Sequence, residues 1–339
     1  MTYTPTPFVP TLFEPTDSTN WKQFLEEEGY VVIRNILPPD EKSASFDLFK
    51  RNWTEVSPNF NWEDQTTWNI QNSPMMFGKG MAIFNGFGQS DFMWSLRTNP
   101  NIYKIFQEIH QTEDLVVSLD GFSVFLSDKQ KSNSWLHIDQ NPKNTLYSIQ
   151  GSYNFLPVGE KDAGFLVVPK SHKTFTPDVS HKKDWILIDQ ETFVPQAVKL
   201  IIPENCLVLW NSKTIHANKG MTKGASGFNR LTAYITYLPK SLRPLDVLEK
   251  RKQAYLDSKT TSHWANKCEL KRYPFGFKTN YEKKGFGDLV IAKADIPIGS
   301  ADIPIGFADI PIGLADIPIG SADIPIGSAD IPIDRLNFI

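Results

Sequence analysis

Four residues of this chain have the types and spacing to do chemistry together: His137, Asp139, His216 and Arg230. His137-Ile138-Asp139 lies within "SWLHIDQNP", and His216 within "LVLWNSKTIHANKG". Two imidazoles and one carboxylate are the minimum set that holds a non-haem iron with half of its coordination sphere open. The H-x-D spacing suits a strand. Residues two apart share a face about 6.5 Å apart, so both side chains can turn to one metal while the apolar Ile138 packs on the other side. A third ligand can come from any other strand lining the same pocket. Each histidine alone would be an ordinary strand histidine, so the flanks carry the weight. Arg230 sits on an otherwise apolar strand, "RLTAYITYLP". A guanidinium buried there needs an anionic partner.

The elements that must position these residues are mostly strands. From about residue 118 to 239 the chain reads "VVSLDGFSVFLS", "LYSIQGSYNFLPV", "GFLVVP", "VKLIIP", "NCLVLWN" and "RLTAYITYLP", punctuated by Pro and Gly. Short strands with turn signals and no interleaved helices predict an antiparallel sandwich or barrel. A mainly β, cupin-like jelly roll (a double-stranded β-helix) matches best. Helices flank it. Asp17 or Ser18 caps an amphipathic helix that runs to Gly29, "YVVIRNI" is a short buried strand, and a second helix follows Pro38-Pro39. Residues 243–258 form a charged C-terminal helix.

Three regions follow: an extended, proline-punctuated arm over 1–16, one jelly-roll domain over 17–291, and a repeat tail over 294–335. The tail holds six copies of a heptad, ADIPIGx, the last ending at Asp334. A proline in every heptad excludes a coiled coil. Near-identical copies predict an extended or disordered appendage, the alternative being a small stacked repeat that buries the isoleucines of Ile-Pro-Ile; neither carries catalytic residue types.

Composition bounds the function. The chain has 339 residues, 40% of them hydrophobic, and a net charge of −3. That balance gives no electrostatic case for nucleic acid or for an anionic membrane. No apolar run approaches a membrane span, and the first residues lack the basic and apolar regions of a secretory signal. Cys206 and Cys268 form no C-x-x-C pair, so a reduced, cytoplasmic protein is expected.

Residues 20–240 resemble the phytanoyl-CoA dioxygenase-like branch of the iron(II)- and 2-oxoglutarate-dependent oxygenases. "EEEGYVVIRNILPPDE", "WLHIDQNP", "GSYNFLPVGEKDAGFLVVPKSHK" and "LVLWNSKTIHANKG" with "NRLTAYITYLP" carry the resemblance. Two turn positions depart from the family pattern: Glu204-Asn205-Cys206 stands for its Gly-Asp, and Lys170 for its Gly before Ser-His. The resemblance implies that His137, Asp139 and His216 hold Fe(II), and that 2-oxoglutarate and O2 take the free positions. It implies that Arg230 pairs with the distal carboxylate of 2-oxoglutarate. Thr232 shares the Arg230 strand face and can donate to that carboxylate, and Asn218 faces the pocket two residues after His216. The implied reaction hydroxylates a C–H bond of a small organic substrate and releases succinate and CO2. A catalytically idle scaffold of the same fold is one alternative, and a metal-only cupin-like enzyme is another. The intact ligand set opposes the first and Arg230 the second. The aromatic-rich residues 57–94 are expected at the mouth of the site, where they would favour a small organic molecule.

Overall fold

The computed structural model describes residues 5–77, 80–127, 130, 135–177, 180 and 182–270. The ADIPIGx repeats lie outside the described residues, as do residues 1–4 of the arm and the end of the 17–291 domain. The described chain is a jelly roll of two facing sheets. The major sheet runs in the order Leu12–Phe13, Tyr30–Ile33, Cys206–Asn211, Ile149–Asn154, Ser226–Ile235, Phe122–Ser127 and Met81–Ala82. The minor sheet runs Thr6–Phe8, Val198–Leu200, Gly164–Val167, His216–Lys219, His137–Ile138 and Ile186–Leu187. Leu115–Val117 and Tyr237–Pro239 pair separately.

Strands Tyr30–Ile33 and Cys206–Asn211 are largely apolar on both faces because both faces are covered. Tyr30, Val32, Val208 and Trp210 of the major sheet pack between the sheets with Phe165, Val167 and Leu200 of the minor sheet. The alternate residues Val31, Ile33, Leu207 and Leu209 point the other way, into a core shared with the helices. Leu136, Ile138, Leu166, Ile215 and Ala217 make a third cluster that also takes in Ile186, Ile188 and Val194.

Helix Ser18–Glu28 ends where the sequence places its stop. Gly29 is left-handed at φ 80° and its N–H bonds the Leu25 carbonyl. A Cβ there would lie 2.6 Å from Thr214 Oγ1 and 2.4 Å from His172 Nδ1, so only glycine lets this turn approach the segment before His216. The two family departures also sit at left-handed turns, Lys170 at φ 64° and Asn205 at φ 59°. Asn205 offsets the strain by bonding Leu37 through both its amide oxygen and its amide nitrogen.

Two regions differ from the sequence reading. The arm is extended but adds an edge strand to each sheet, Thr6–Phe8 beside Val198–Leu200 and Leu12–Phe13 beside Tyr30–Ile33, both parallel. Edge positions tolerate its prolines. The aromatic stretch 57–94 is mainly core. Phe60, Phe87, Phe92 and Trp94 are buried and join Phe49 and Trp53 of helix Pro39–Val56 on the helical side of the major sheet. Their rings meet edge-on or stacked, as Phe92 does with Phe122 and Trp53 with Phe87. A further helix, Pro100–His110, is capped by Asn99, which accepts from Asn101 and Ile102. No helix among the described residues is long and apolar enough to cross a membrane.

His110, at the end of that helix, bonds the Tyr237 carbonyl through Nε2. Burial pushes its pKa down from 6.5 to about 4, the carbonyl opposing in part. The unfolded chain therefore binds a proton at this residue before the folded chain does. This contribution to stability is complete above about pH 6.5 and is lost as pH falls towards about 4. We expect denaturant midpoints to fall across that window, and His110→Gln to flatten the fall. An identical slope in the variant would assign the acid sensitivity elsewhere.

Candidate metal and co-substrate site

Strand pairing sets the metal ligands opposite one another. His216 and His137 are direct cross-strand partners on adjacent antiparallel strands of the minor sheet. Asp139 follows one residue after the His137–Ile138 strand, and its N–H bonds the Ser212 carbonyl. The ligand atoms of His137, Asp139 and His216 all lie within 4.8 Å of one another. Asp139 Oδ2 is 3.2 Å from His216 Nε2, and Asp139 Oδ1 is 3.6 Å from His137 Nε2.

Backbone carbonyls decide which ring nitrogens face the centre. His137 Nδ1 lies 2.9 Å from the Trp135 carbonyl and His216 Nδ1 2.9 Å from the Thr214 carbonyl. A carbonyl accepts only, so each Nδ1 carries the proton and each Nε2 lone pair is left for a metal. Trp135 stacks on the His137 ring at 4.4 Å, while Trp210 and Phe165, in contact with each other, pack against His216. Burial would raise the Asp139 carboxyl, but when His263, His137 and His216 are protonated their charge, with a hydrogen bond from His216, holds it well below the usual carboxylate range. An ionised carboxylate between two imidazole lone pairs is a donor set that suits a divalent transition metal.

The second half of the site is built on Arg230, which is 1% exposed. Its Nε donates to Thr232 Oγ1 at 3.0 Å, and Nη1 donates to the Gly164 carbonyl and to Asn218 Oδ1, both at 3.0 Å. Nη2 is buried with no hydrogen-bond partner. Burial pushes the guanidinium below its ordinary pKa, opposed by Tyr234. Asn218, two residues after His216, also donates to the Tyr234 hydroxyl at 2.6 Å. Asn218 thus links Arg230, on the major sheet, to the strand of His216 in the minor sheet.

His137, Asp139, His216, Arg230, Thr232 and Asn218 meet in this region, but Thr232 has a different task from that expected. Thr232 accepts from Arg230 and gives its single proton to Asn154 Oδ1 at 2.7 Å. It orients the guanidinium, and its proton is not available to a bound carboxylate. Gln140 bonds the carbonyls of Asn144 and Leu146 within its own loop, away from Asp139. Gln150 touches the carboxylate instead, donating to Asp139 Oδ2 at 2.9 Å. His172 bonds the Glu26 carbonyl and lies outside the site. Trp264 is buried with Val116, Leu238 and Ala265 as an apolar plug, while its neighbour His263 acts electrostatically on Asp139.

Sequence reasoning missed Gln150, Asn154, Tyr234 and Lys199. The signal for the first two was present: Ser148, Gln150, Ser152 and Asn154 alternate along a central strand and are all buried. Polar residues on one face of a buried strand mark a lined cavity. Lys199, its pKa lowered by burial to about 8, donates to the carbonyls of Gly159, Glu160 and Asp162 and so ties down the loop before Gly164, the Arg230 acceptor.

Comparison with known proteins agrees with the geometry. The chain is 26% identical over 258 residues to "Ava biosynthesis cluster protein O" of Aspergillus versicolor, covering 70% of this chain and 82% of that protein. It is 23% identical over 307 residues to a Dictyostelium discoideum protein named for phytanoyl-CoA dioxygenase, covering 74% of this chain and 83% of the relative. In fold it is similar to the GlcNAc Inducible Gene 2 protein of Candida albicans, with a TM-score of 0.53 and 11% identity over 85% of this chain and 79% of that one. No family model matches the chain. The fold is a cupin-like jelly roll with a His-Asp-His metal-binding group. By sequence it is similar to a protein named for phytanoyl-CoA dioxygenase.

Asp139→Ala removes the only anionic ligand of the group and leaves the apolar cores untouched. We expect the variant to bind far less than one iron per chain while still melting cooperatively. Full iron loading would remove Asp139 from the ligand set.

Proposed function

We propose that this protein is an Fe(II)- and 2-oxoglutarate-dependent dioxygenase that hydroxylates a C–H bond of a small organic substrate. His137, Asp139 and His216 would hold the iron. Bound iron supplies the redox chemistry that couples oxidative decarboxylation of 2-oxoglutarate by O2 to hydroxylation, giving succinate, CO2 and the hydroxylated product. The residues of the chain bind, orient and exclude water. The two Nδ1–carbonyl bonds fix the imidazoles, and the sheets bury the ligands.

The observation that carries this reading is the unpartnered Nη2 of the buried Arg230. A guanidinium with one free donor nitrogen, otherwise bonded only to neutral acceptors, is a fixed receptor for a carboxylate. Asn218 joins it to the strand of His216, which suits a co-substrate that reaches from metal to anchor. A metal-only cupin has no use for such a receptor, and an idle scaffold has no use for either half.

The substrate is proposed as a small organic molecule. The mouth offers the half-exposed Trp185, whose ring lies 5.8 Å from His137. One relative is named for a biosynthesis cluster and the other for a dioxygenase, which supports this reading. A cytoplasmic setting, without nucleic-acid or membrane partners, accords with the free thiols Cys206 and Cys268 and with the near-neutral charge.

Arg230→Gln tests the assignment. Each charged hydrogen bond is worth about 1.5–3 kcal/mol, so 2-oxoglutarate affinity should fall roughly tenfold to a hundredfold. Iron affinity should change much less. Calorimetric titration of both ligands separates the two effects. Unchanged 2-oxoglutarate binding would move the anchor to another basic residue.

A further inference from the structure

Asp139 is tied to the opposite sheet by one side chain. Gln150, 4% exposed on strand Ile149–Asn154 of the major sheet, donates from Nε2 to Asp139 Oδ2 at 2.9 Å. The same nitrogen lies 3.3 Å from Ser212 Oγ. Ser212 gives its own proton to Ser148 Oγ at 2.9 Å. Ser212 and Ser148 are both buried, and the Ser212 N–H bonds the Ser148 carbonyl.

This chain of bonds fixes which end of the Gln150 amide meets the carboxylate. The Ser212 hydroxyl has one proton, and that proton goes to Ser148. Its lone pairs can only accept, so the amide NH2 must face Ser212 and Asp139 together. The reverse orientation would set the amide oxygen against an ionised carboxylate. The backbone reinforces the arrangement, because the Ser212 carbonyl accepts the Asp139 N–H at 3.0 Å.

We propose that Gln150, held by Ser212 and Ser148, is the positioning residue that aligns the Asp139 carboxylate for metal binding. The inference rests on the oxygenase reading above. Asp139 follows a strand of only two residues, His137–Ile138, so its side chain has little regular structure of its own to hold it. With one oxygen engaged across the sheets, the carboxylate plane cannot swing. Without that bond it can turn away from the imidazoles. It can also offer both oxygens to one metal, taking a position that a chelating 2-oxo acid needs.

Nickel(II), which binds such donor sets without redox turnover, is the probe. Calorimetric Kd values for nickel, together with thermal melts, would be measured on the wild type, Gln150→Leu, Asp139→Ala and the double variant. We expect Gln150→Leu to weaken nickel binding by roughly ten- to a hundredfold, as loss of a partner that orients a ligand does. In the Asp139→Ala background the same change should alter Kd by less than about twofold, because the effect travels through the carboxylate. Equal affinity of Gln150→Leu and wild type overturns the inference. So does an equal loss in both backgrounds, which would mark Gln150 as merely structural. If Gln150→Leu does not fold, Ser212→Ala keeps the glutamine and removes the acceptor that fixes it. That variant should lose nickel affinity several-fold, and unchanged affinity would again overturn the inference. Wild-type protein that takes up no nickel overturns the oxygenase reading itself, and this inference with it.

Discussion

A partly buried carboxylate and a buried guanidinium lie between the two sheets, and the rest of the site is arranged around that constraint. Neither charge can stay in such a place without partners. Asp139 is met by two imidazoles and by the Gln150 amide. Arg230 is met by a hydroxyl, an amide oxygen and a carbonyl, all neutral. The proposed divalent metal and dicarboxylate would balance these two charges. The polar lining of the cavity runs from Gln150 through Ser152 and Asn154 along one strand, and through Tyr234, Thr232 and Arg230 along its neighbour.

The sheets do more than enclose the charges. Direct pairing of His137 with His216 places both ligands at one register position. Each ring is fixed by the carbonyl two residues before it, so the strand that presents the histidine also selects its tautomer. Side-chain bridges then lock the sheets together: Gln150 to Asp139 at the metal, and Arg230 to Gly164 and Asn218, with Asn218 to Tyr234, at the anchor. A one-residue slip of either strand would turn its ligand away from the cavity.

Much of this was legible in the sequence, and the exceptions have physical causes. The H-x-D pair, the distal His216 and the lone Arg230 stand out because charged or metal-binding types interrupt apolar strands. The start and stop of helix Ser18–Glu28 were readable from Asp17 and Gly29. Helix Pro100–His110 was equally readable from Asn99 and Pro100, but the aromatic residues before it drew attention as a site mouth. Residue type alone does not separate a mouth from a core, and Phe87 and Phe92 proved to be core. Thr232 was placed on the correct face, yet its role depends on where one proton goes, and that needs the position of Asn154. Gln150 was hidden for the same reason. Its partner is eleven residues earlier in the chain and on the other sheet.

The proposed function requires the three-residue metal face and the Arg230 receptor to hold one 2-oxoglutarate between them. Anaerobic visible absorption tests it directly. Iron(II) is added to the metal-free protein, followed by 2-oxoglutarate. A chelated 2-oxo acid on ferrous iron gives a weak charge-transfer band, which requires the three ligands and two adjacent free positions together. The account predicts that the band appears only when both additions are made. Iron uptake without the band would contradict the co-substrate half of the account, and folded protein that takes up no iron would contradict all of it.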